Sequence, residues 1–239
     1  HPDWAMDIPG CAHSEGRNQR ILDLCNPEVT EYIIDSMTKV FSSANIDYVK
    51  WDMNRIFSDY YSKYLKAQGR PQGETAHRYV MALGRIMRTL TERFPHILFE
   101  GCAAGGNRFD LGILCYFPQI WASDNTDAVS RAYIQEGLSY GYPMSTVSAH
   151  VSACPNHQTL RVTPLSTRFN VAAFGICGYE CNLVDMSRSE RSEIKTQIDI
   201  YKKWRHAMQF GSFYRQRTGN IHQWTVVDEE AGRAAGLIM

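Results

Sequence analysis

Three short stretches of this 239-residue chain carry side chains able to do chemistry at a spacing that concentrates them. The first is Tyr48-Val-Lys50-Trp-Asp52. Strand residues alternate faces, so in a strand Tyr48, Lys50 and Asp52 share one side. A lysine and an aspartate on the inner face of a buried strand are costly unless they are paired or used. A Lys–Asp pair that only holds the strand is the bland alternative. The second stretch is Glu100-Gly-Cys102-Ala-Ala-Gly105-Gly106-Asn-Arg108-Phe-Asp110. Its glycines let backbone approach a ligand closely, but it lacks the Gly-Lys-Ser/Thr ending of a phosphate loop. No histidine is placed by sequence to activate Cys102, which reads as a packed or ligand-touching thiol. The Arg108–Asp110 pair reads as an internal salt bridge. The third is Trp121-Ala-Ser-Asp124-Asn-Thr-Asp127. One of its acids is expected to cap the following helix, and Asp127, nearer the helical pattern, is the natural cap. Asp124, at the strand tip, is then left to reach the site. Trp121 suits either stacking on the apolar face of a sugar or filling a core.

The elements that must position these residues alternate regularly. Buried strands are expected to start near 20, 46, 97, 118, 144 and 174, with helices over about 26–43, 74–93, 127–139, 164–172 and 188–209. The alternation implies a parallel sheet with helices outside it. The mean spacing is about 31 residues, and eight such units fill the roughly 250 residues of a (β/α)8 barrel, whose chemistry sits at the C-terminal strand ends. The expectation is therefore an α/β fold, a TIM barrel carrying six of eight units and lacking its first two strands. Residues 213–215, 224–228 and 234–239 read as antiparallel strands with a turn at 228–233. The expected division is a catalytic barrel over 1–210 and the start of a C-terminal β-sandwich domain over 211–239. An open doubly wound sheet is the alternative architecture, without a dinucleotide fingerprint to support it.

Composition excludes several functions. Lys+Arg and Asp+Glu are 25 each, giving a formal net charge of zero and no basic footprint for nucleic acid. No apolar run is long enough to cross a membrane. Seven cysteines, an odd number without a C-x-x-C pair, argue against a disulfide framework. A cytoplasmic location is expected from this. His150, His157 and Asp124 invite a metal reading, but barrel metallohydrolases want an early His-x-His strand that is absent here; no metal and no cofactor are expected.

The three motifs resemble glycoside hydrolase family 36, the microbial α-galactosidases, in order and along essentially the whole chain. His1-Pro-Asp-Trp4, Arg17-Asn-Gln19 and His150-Val-Ser-Ala-Cys-Pro-Asn-His157 add to the resemblance. It implies a retaining mechanism with Asp52 as nucleophile and Asp124 as acid/base, on barrel strands four and six. It carries substrate contacts over to Arg17, Lys50, Asn54, Cys102, Gly105 and Trp121, and Trp51 and Met53 are counted with them as neighbours of the nucleophile. The implied substrates are melibiose- and raffinose-type α-galactosides, and the implied assembly is a homotetramer. An Asp-Asp pair and a tryptophan of the family pattern have no counterpart in this sequence, so the 239 residues alone are expected to be inactive. A galactosyl transferase of the raffinose-synthase kind, an α-N-acetylgalactosaminidase and a silent sugar-binding relative are the competing readings.

Overall fold

The computed structural model describes residues 1–55 and 57–239. In chain order the elements are α1 (Pro27–Ser42), β1 (Tyr48–Asp52), α2 (Lys63–Ala67), α3 (Thr75–Arg93), β2 (Leu98–Cys102), α4 (Leu111–Leu114), β3 (Gln119–Trp121), α5 (Ala128–Leu138), β4 (Val147–Ser152), α6 (Leu165–Ala172), β5 (Ile176–Glu180), α7 (Arg188–Phe210), β6 (Ser212–Thr218), β7 (Ile221–Asp228) and β8 (Arg233–Ile238). The chain divides into two compact units, His1–Pro118 and Gln119–Met239.

In the first unit β1 and β2 run parallel, with Lys50 opposite Glu100 and Asp52 opposite Cys102. α1 begins where sequence chemistry says it should: the Asn26 side chain accepts from the Glu28 N–H and Pro27 takes the first turn. Its Phe41 meets the ring edges of Trp51, Phe94 and Phe99. This aromatic cluster glues the outer face of β1 and β2 to the helices and leaves the other face for Tyr48, Lys50, Asp52, Glu100 and Cys102. α3 adds buried Ile86, Met87 and Leu90.

The parallel strand expected at 20–24 is not formed. Instead Ala5 bridges Leu22 in antiparallel fashion, with the Met6 N–H donating to the Ile21 carbonyl at 2.9 Å. Ile21, Met6, Cys25 and Leu65 bury one another in a small cluster of their own, against Phe57, Tyr64 and Tyr79. The apolar run thus fills a satellite core and not the sheet. A short apolar run cannot declare its pairing partner. The tyrosine-rich stretch also contains α2, capped by Ser62, which the sequence pattern does not announce.

In the second unit β3, β4 and β5 are parallel, with Trp121 opposite Ser148 and Ser148 opposite Ile176. Gly175 is required before β5, because a Cβ there would lie 2.7 Å from the Val147 carbonyl oxygen. α7 starts with a full capping box of Ser187 and Glu190. From Ser212 the chain turns antiparallel, and β6, β7 and β8 form a three-stranded sheet in that order. Trp224 is buried on Phe174 and Phe213. Glu136 of α5 accepts from His222 Nδ1 at 2.7 Å and Trp224 Nε1 at 3.1 Å, fastening this sheet to the α/β layer. The chain therefore has the strand–helix alternation of a (β/α)8 barrel, with five parallel strands, followed by antiparallel strands.

Candidate active site

The tip of β1 collects the first group of side chains. Asn54 Nδ2 donates to Asp52 Oδ2 at 2.6 Å. The Cys102 thiol, across the ladder from Asp52, and the Ala104 N–H also bond the carboxylate. Partial burial is the largest single influence on Asp52 and pushes its pKa up. The hydrogen bonds from Cys102, Asn54 and Ala104, with the positive charge of Lys50, outweigh it and hold the carboxyl below the usual aspartate value. Cys102 moves the opposite way, to about 11, through burial and its hydrogen bond to Asp52. It is a neutral donor, in line with the reading of a packed or ligand-touching thiol.

The glycine-rich segment explains how a backbone amide reaches Asp52. Ala104 and Gly105 both take positive φ, +47° and +84°. The Ala103 N–H bonds the Gly105 carbonyl at 2.9 Å, closing a tight turn. An alanine in the left-handed region costs on the order of 1–2 kcal/mol, and such strain clusters at functional sites. Asn107 secures the turn by donating to the Ala103 and Ala104 carbonyls at 2.8 and 3.2 Å.

Arg17 lies on a hairpin closed by reciprocal bonds between Gly16 and Gln19, with Arg17 and Asn18 at φ +52° and +58°. The hairpin packs on the segment after Asp52: a Cβ on Gly16 would lie 3.3 Å from the Arg55 side chain and 3.6 Å from the Asn54 carbonyl oxygen. Arg55, buried, donates to the Ser14 carbonyl at 2.8 Å, Ser58 Oγ at 2.9 Å and Asp59 at 3.2 Å. Arg17, Lys50, Asn54, Cys102 and Gly105 therefore all belong to elements anchored around Asp52 in one unit. Trp51 and Met53 differ. The Trp51 ring packs on Phe41 and Phe117 on the opposite face of β1, and Met53 Sδ accepts from the Tyr79 hydroxyl at 3.7 Å beside α3.

In the second unit the two acids after β3 have separated roles. Asp127, 1% exposed, caps α5 through the Ser130 N–H at 3.0 Å and is paired with Arg161. It is the helix cap expected of it. Asp124 is half-buried and accepts from Trp121 Nε1 at 3.0 Å. Trp121 is only 4% exposed, with Arg131 4.3 Å over its ring and the His150 ring 4.4 Å away. Arg131 fixes the loop by donating to the carbonyls of Ser123, Asn125 and Ser148 at 2.6, 2.8 and 3.0 Å. His150 Nδ1 faces Glu180 at 3.2 Å. Among the described residues no group of three His, Cys, Asp or Glu side chains is placed to hold a metal ion, and no helix is long and apolar enough to cross a membrane.

Sequence reasoning gave Glu100 no role. It is 2% exposed, accepts from the Tyr48 hydroxyl and lies 3.7 Å from Lys50 Nζ. The signal was a buried-strand carboxylate two residues before Cys102, but only the β1–β2 register pairs it with Lys50.

A family model described as Melibiase matches residues 1–211, ending where the antiparallel strands begin. The chain is 48% identical over 237 residues to the curated protein Alpha-galactosidase AgaA of Geobacillus stearothermophilus, covering 98% of this chain and 32% of that one. A crystal structure of the α-galactosidase from Lactobacillus brevis matches with a TM-score of 0.95 at 44% identity, over 99% of this chain and 32% of the other. A substituted AgaA crystallised in complex with raffinose matches with a TM-score of 0.92 at 47% identity, over 96% of this chain and 32% of that one. The chain thus spans about a third of the length of the relatives it matches.

Proposed function

The chain belongs to the Melibiase family, and from that premise we propose that it carries the catalytic residues of a retaining α-galactosidase of glycoside hydrolase family 36. Its substrates are terminal α-linked galactose units of raffinose- and melibiose-type sugars. The observation that carries this reading is the environment of Asp52: three hydrogen bonds and a nearby lysine favour its anion. A glycosidase nucleophile needs that state.

In this reading Asp52 attacks the anomeric carbon while Asp124 protonates the departing oxygen. A covalent galactosyl-enzyme forms with one inversion. Asp124 then takes a proton from water, which displaces Asp52 with a second inversion. Two carboxyls about 5–5.5 Å apart serve this double displacement. Lys50, Asn54, Arg17 and the Gly105 turn supply donors to the sugar hydroxyls, and Cys102, its one S–H directed at Asp52, meets the sugar through its sulfur. The Trp121 N–H aims the Asp124 carboxylate. A transferase would use the same two carboxylates with a sugar in place of water. Residues 1–210 are assigned to the catalytic domain and 211–239 to the start of a C-terminal β domain. A reducing, cytoplasmic setting is part of this reading, on the ground of seven cysteines, an odd number without a C-x-x-C pair. The tetrameric assembly rests on the family resemblance alone.

Chemical rescue tests the roles in the complete protein. Asp52→Gly leaves a hole in which azide attacks an activated α-galactoside with one inversion, giving β-galactosyl azide. Asp124→Gly still forms the galactosyl-enzyme when the leaving group needs no proton, and azide then gives α-galactosyl azide. The anomeric configuration read by NMR assigns the two residues. Swapped products reverse the assignment, and absence of any α-galactoside hydrolysis by the wild type overturns the activity.

A further inference from the structure

The geometry points to Glu100 as a positioning residue that holds Lys50 on the face of β1 carrying Asp52. This rests on the α-galactosidase reading of that face and goes beyond it, because Glu100 itself stays out of reach of substrate. The argument starts from register. In a parallel ladder, residues directly opposite share a face, and Lys50 stands opposite Glu100 just as Asp52 stands opposite Cys102. Glu100 is 2% exposed, so its carboxylate has a cost unless it is partnered. Among its partners are the Tyr48 hydroxyl, which donates to Oε2, and the Lys50 ammonium, 3.7 Å from Oε1. Both come from the strand that ends in the nucleophile.

A lysine side chain has four rotatable bonds and acts as a point charge with no preferred fork geometry. Lys50 is more than a third exposed, so without an anchor it samples many rotamers. Glu100, immobile in the sheet, gives it one. The ammonium is then held where its field favours the Asp52 anion, beside the position of a sugar hydroxyl. The arrangement parallels a common division in enzyme sites: a group that touches substrate, and a buried acid behind it that fixes where the group points.

If Glu100 acts through Lys50, the two residues are energetically one unit, and their substitutions do not add. A Glu100 that merely fills the sheet behaves otherwise: its loss lowers the melting temperature and adds independently to any defect at Lys50. The test is a double-mutant cycle in the complete protein with p-nitrophenyl α-galactoside, using Glu100→Gln, Lys50→Ala and both together. Glu100→Gln alone is expected to lower kcat/KM by roughly tenfold or more, while on the Lys50→Ala background it changes kcat/KM by less than about twofold, the margin within which independent sites add. Should Glu100→Gln not fold, Glu100→Asp carries the same cycle, since it keeps the charge and retracts it by one methylene. Additive losses in the cycle, or wild-type kinetics in a folded Glu100 variant, overturn the inference. Neither outcome touches the α-galactosidase reading, which fails only if the wild-type protein does not hydrolyse the substrate.

Discussion

At the tip of β1 a single carboxylate is gripped by neighbours that favour its charge, whereas at the tip of β3 two aspartates three residues apart divide the work. Asp52 takes hydrogen bonds from Asn54, Cys102 and the Ala104 amide, with Lys50 nearby. Asp127 takes its bonds from the Ser130 amide and hydroxyl and from Arg161. Both draw several donors, those of Asp127 all on Oδ2, yet the partners differ in kind. Two of the donors around Asp127, the Ser130 amide and hydroxyl, are those of a helix start, and Arg161 adds an ion pair. Those around Asp52 are drawn from two strands and a strained turn, which is more machinery than a fold requires for one acid. Asp124 has the role left over by Asp127: with the helix capped by its neighbour, it is held at the strand tip by the Trp121 N–H. The number of donors therefore does not set the two carboxylates apart, but their origin does.

The largest effect that would sharpen this contrast is at Asp52. Asp52→Gly in the complete protein should lower kcat by about 10⁴-fold or more, as removal of a nucleophile does. Asp124→Gly should lose roughly 10²- to 10⁴-fold on a natural sugar, the size of a general acid–base contribution, and far less on an aryl galactoside with a good leaving group. Comparable losses on both substrates would break the division of roles. The charge state of Asp52 has its own signature. A depressed carboxyl pKa keeps the anion present as pH falls, so the acid limb of kcat/KM should lie below that of an ordinary aspartate. Asn54→Ala removes one of the lowering hydrogen bonds, so that limb should move to higher pH; an unmoved limb would detach Asn54 from the charge of Asp52.

Next in size is Lys50→Ala. Losing one charge-assisted contact should cost about 2–4 kcal/mol of transition-state stabilisation, on the order of 30- to 1,000-fold in kcat/KM, with the fold intact. Wild-type kinetics would make Lys50 structural. Asp127→Ala should reverse the pattern. It removes a helix cap and strands Arg161, so stability should fall by roughly 1–2 kcal/mol, read as a lowered midpoint in urea. The protein that remains folded should still turn over substrate. A catalytic defect larger than that of Asp124→Gly would show the wrong aspartate chosen.

Much of this arrangement was legible because local rules agreed with tertiary ones. Asn26-Pro27 announces α1, and the Asp124/Asp127 division follows from cap chemistry. What stayed hidden depended on pairing. The apolar run at 20–24 reads as a strand, but its partner is residues 4–6, a choice made by packing against Leu65 and Tyr79 far along the chain. Glu100 is unremarked in sequence because its meaning lies in the register of β1 against β2. Trp51 reads as a neighbour of the nucleophile, yet strand alternation sends its ring to Phe41 and away from Asp52.

The smallest effect concerns the hairpin that carries Arg17. Two successive residues at positive φ are the mark of a tight hairpin turn in which Asn-Gly is the favoured pair. Here the pair is Arg17-Asn18, with an arginine where the left-handed region is costly and an asparagine that tolerates it. Strain kept at Arg17 makes sense if its guanidinium is needed there; at Asn18 it has no such reason, since asparagine is simply a tolerable residue for the turn. Asn18→Gly should therefore leave kcat/KM unchanged and stabilise by no more than about 1 kcal/mol, because glycine relieves the residual αL cost but adds freedom to the unfolded chain. Asn18→Val should destabilise by about 1–2 kcal/mol, since a β-branched side chain is poorly accommodated at that φ. Arg17→Gly relieves the same kind of strain, yet it should raise KM. Thermal midpoints and KM values for the three variants test this together. If Arg17→Gly leaves KM untouched, the strain at the hairpin is a property of the turn and owes nothing to substrate.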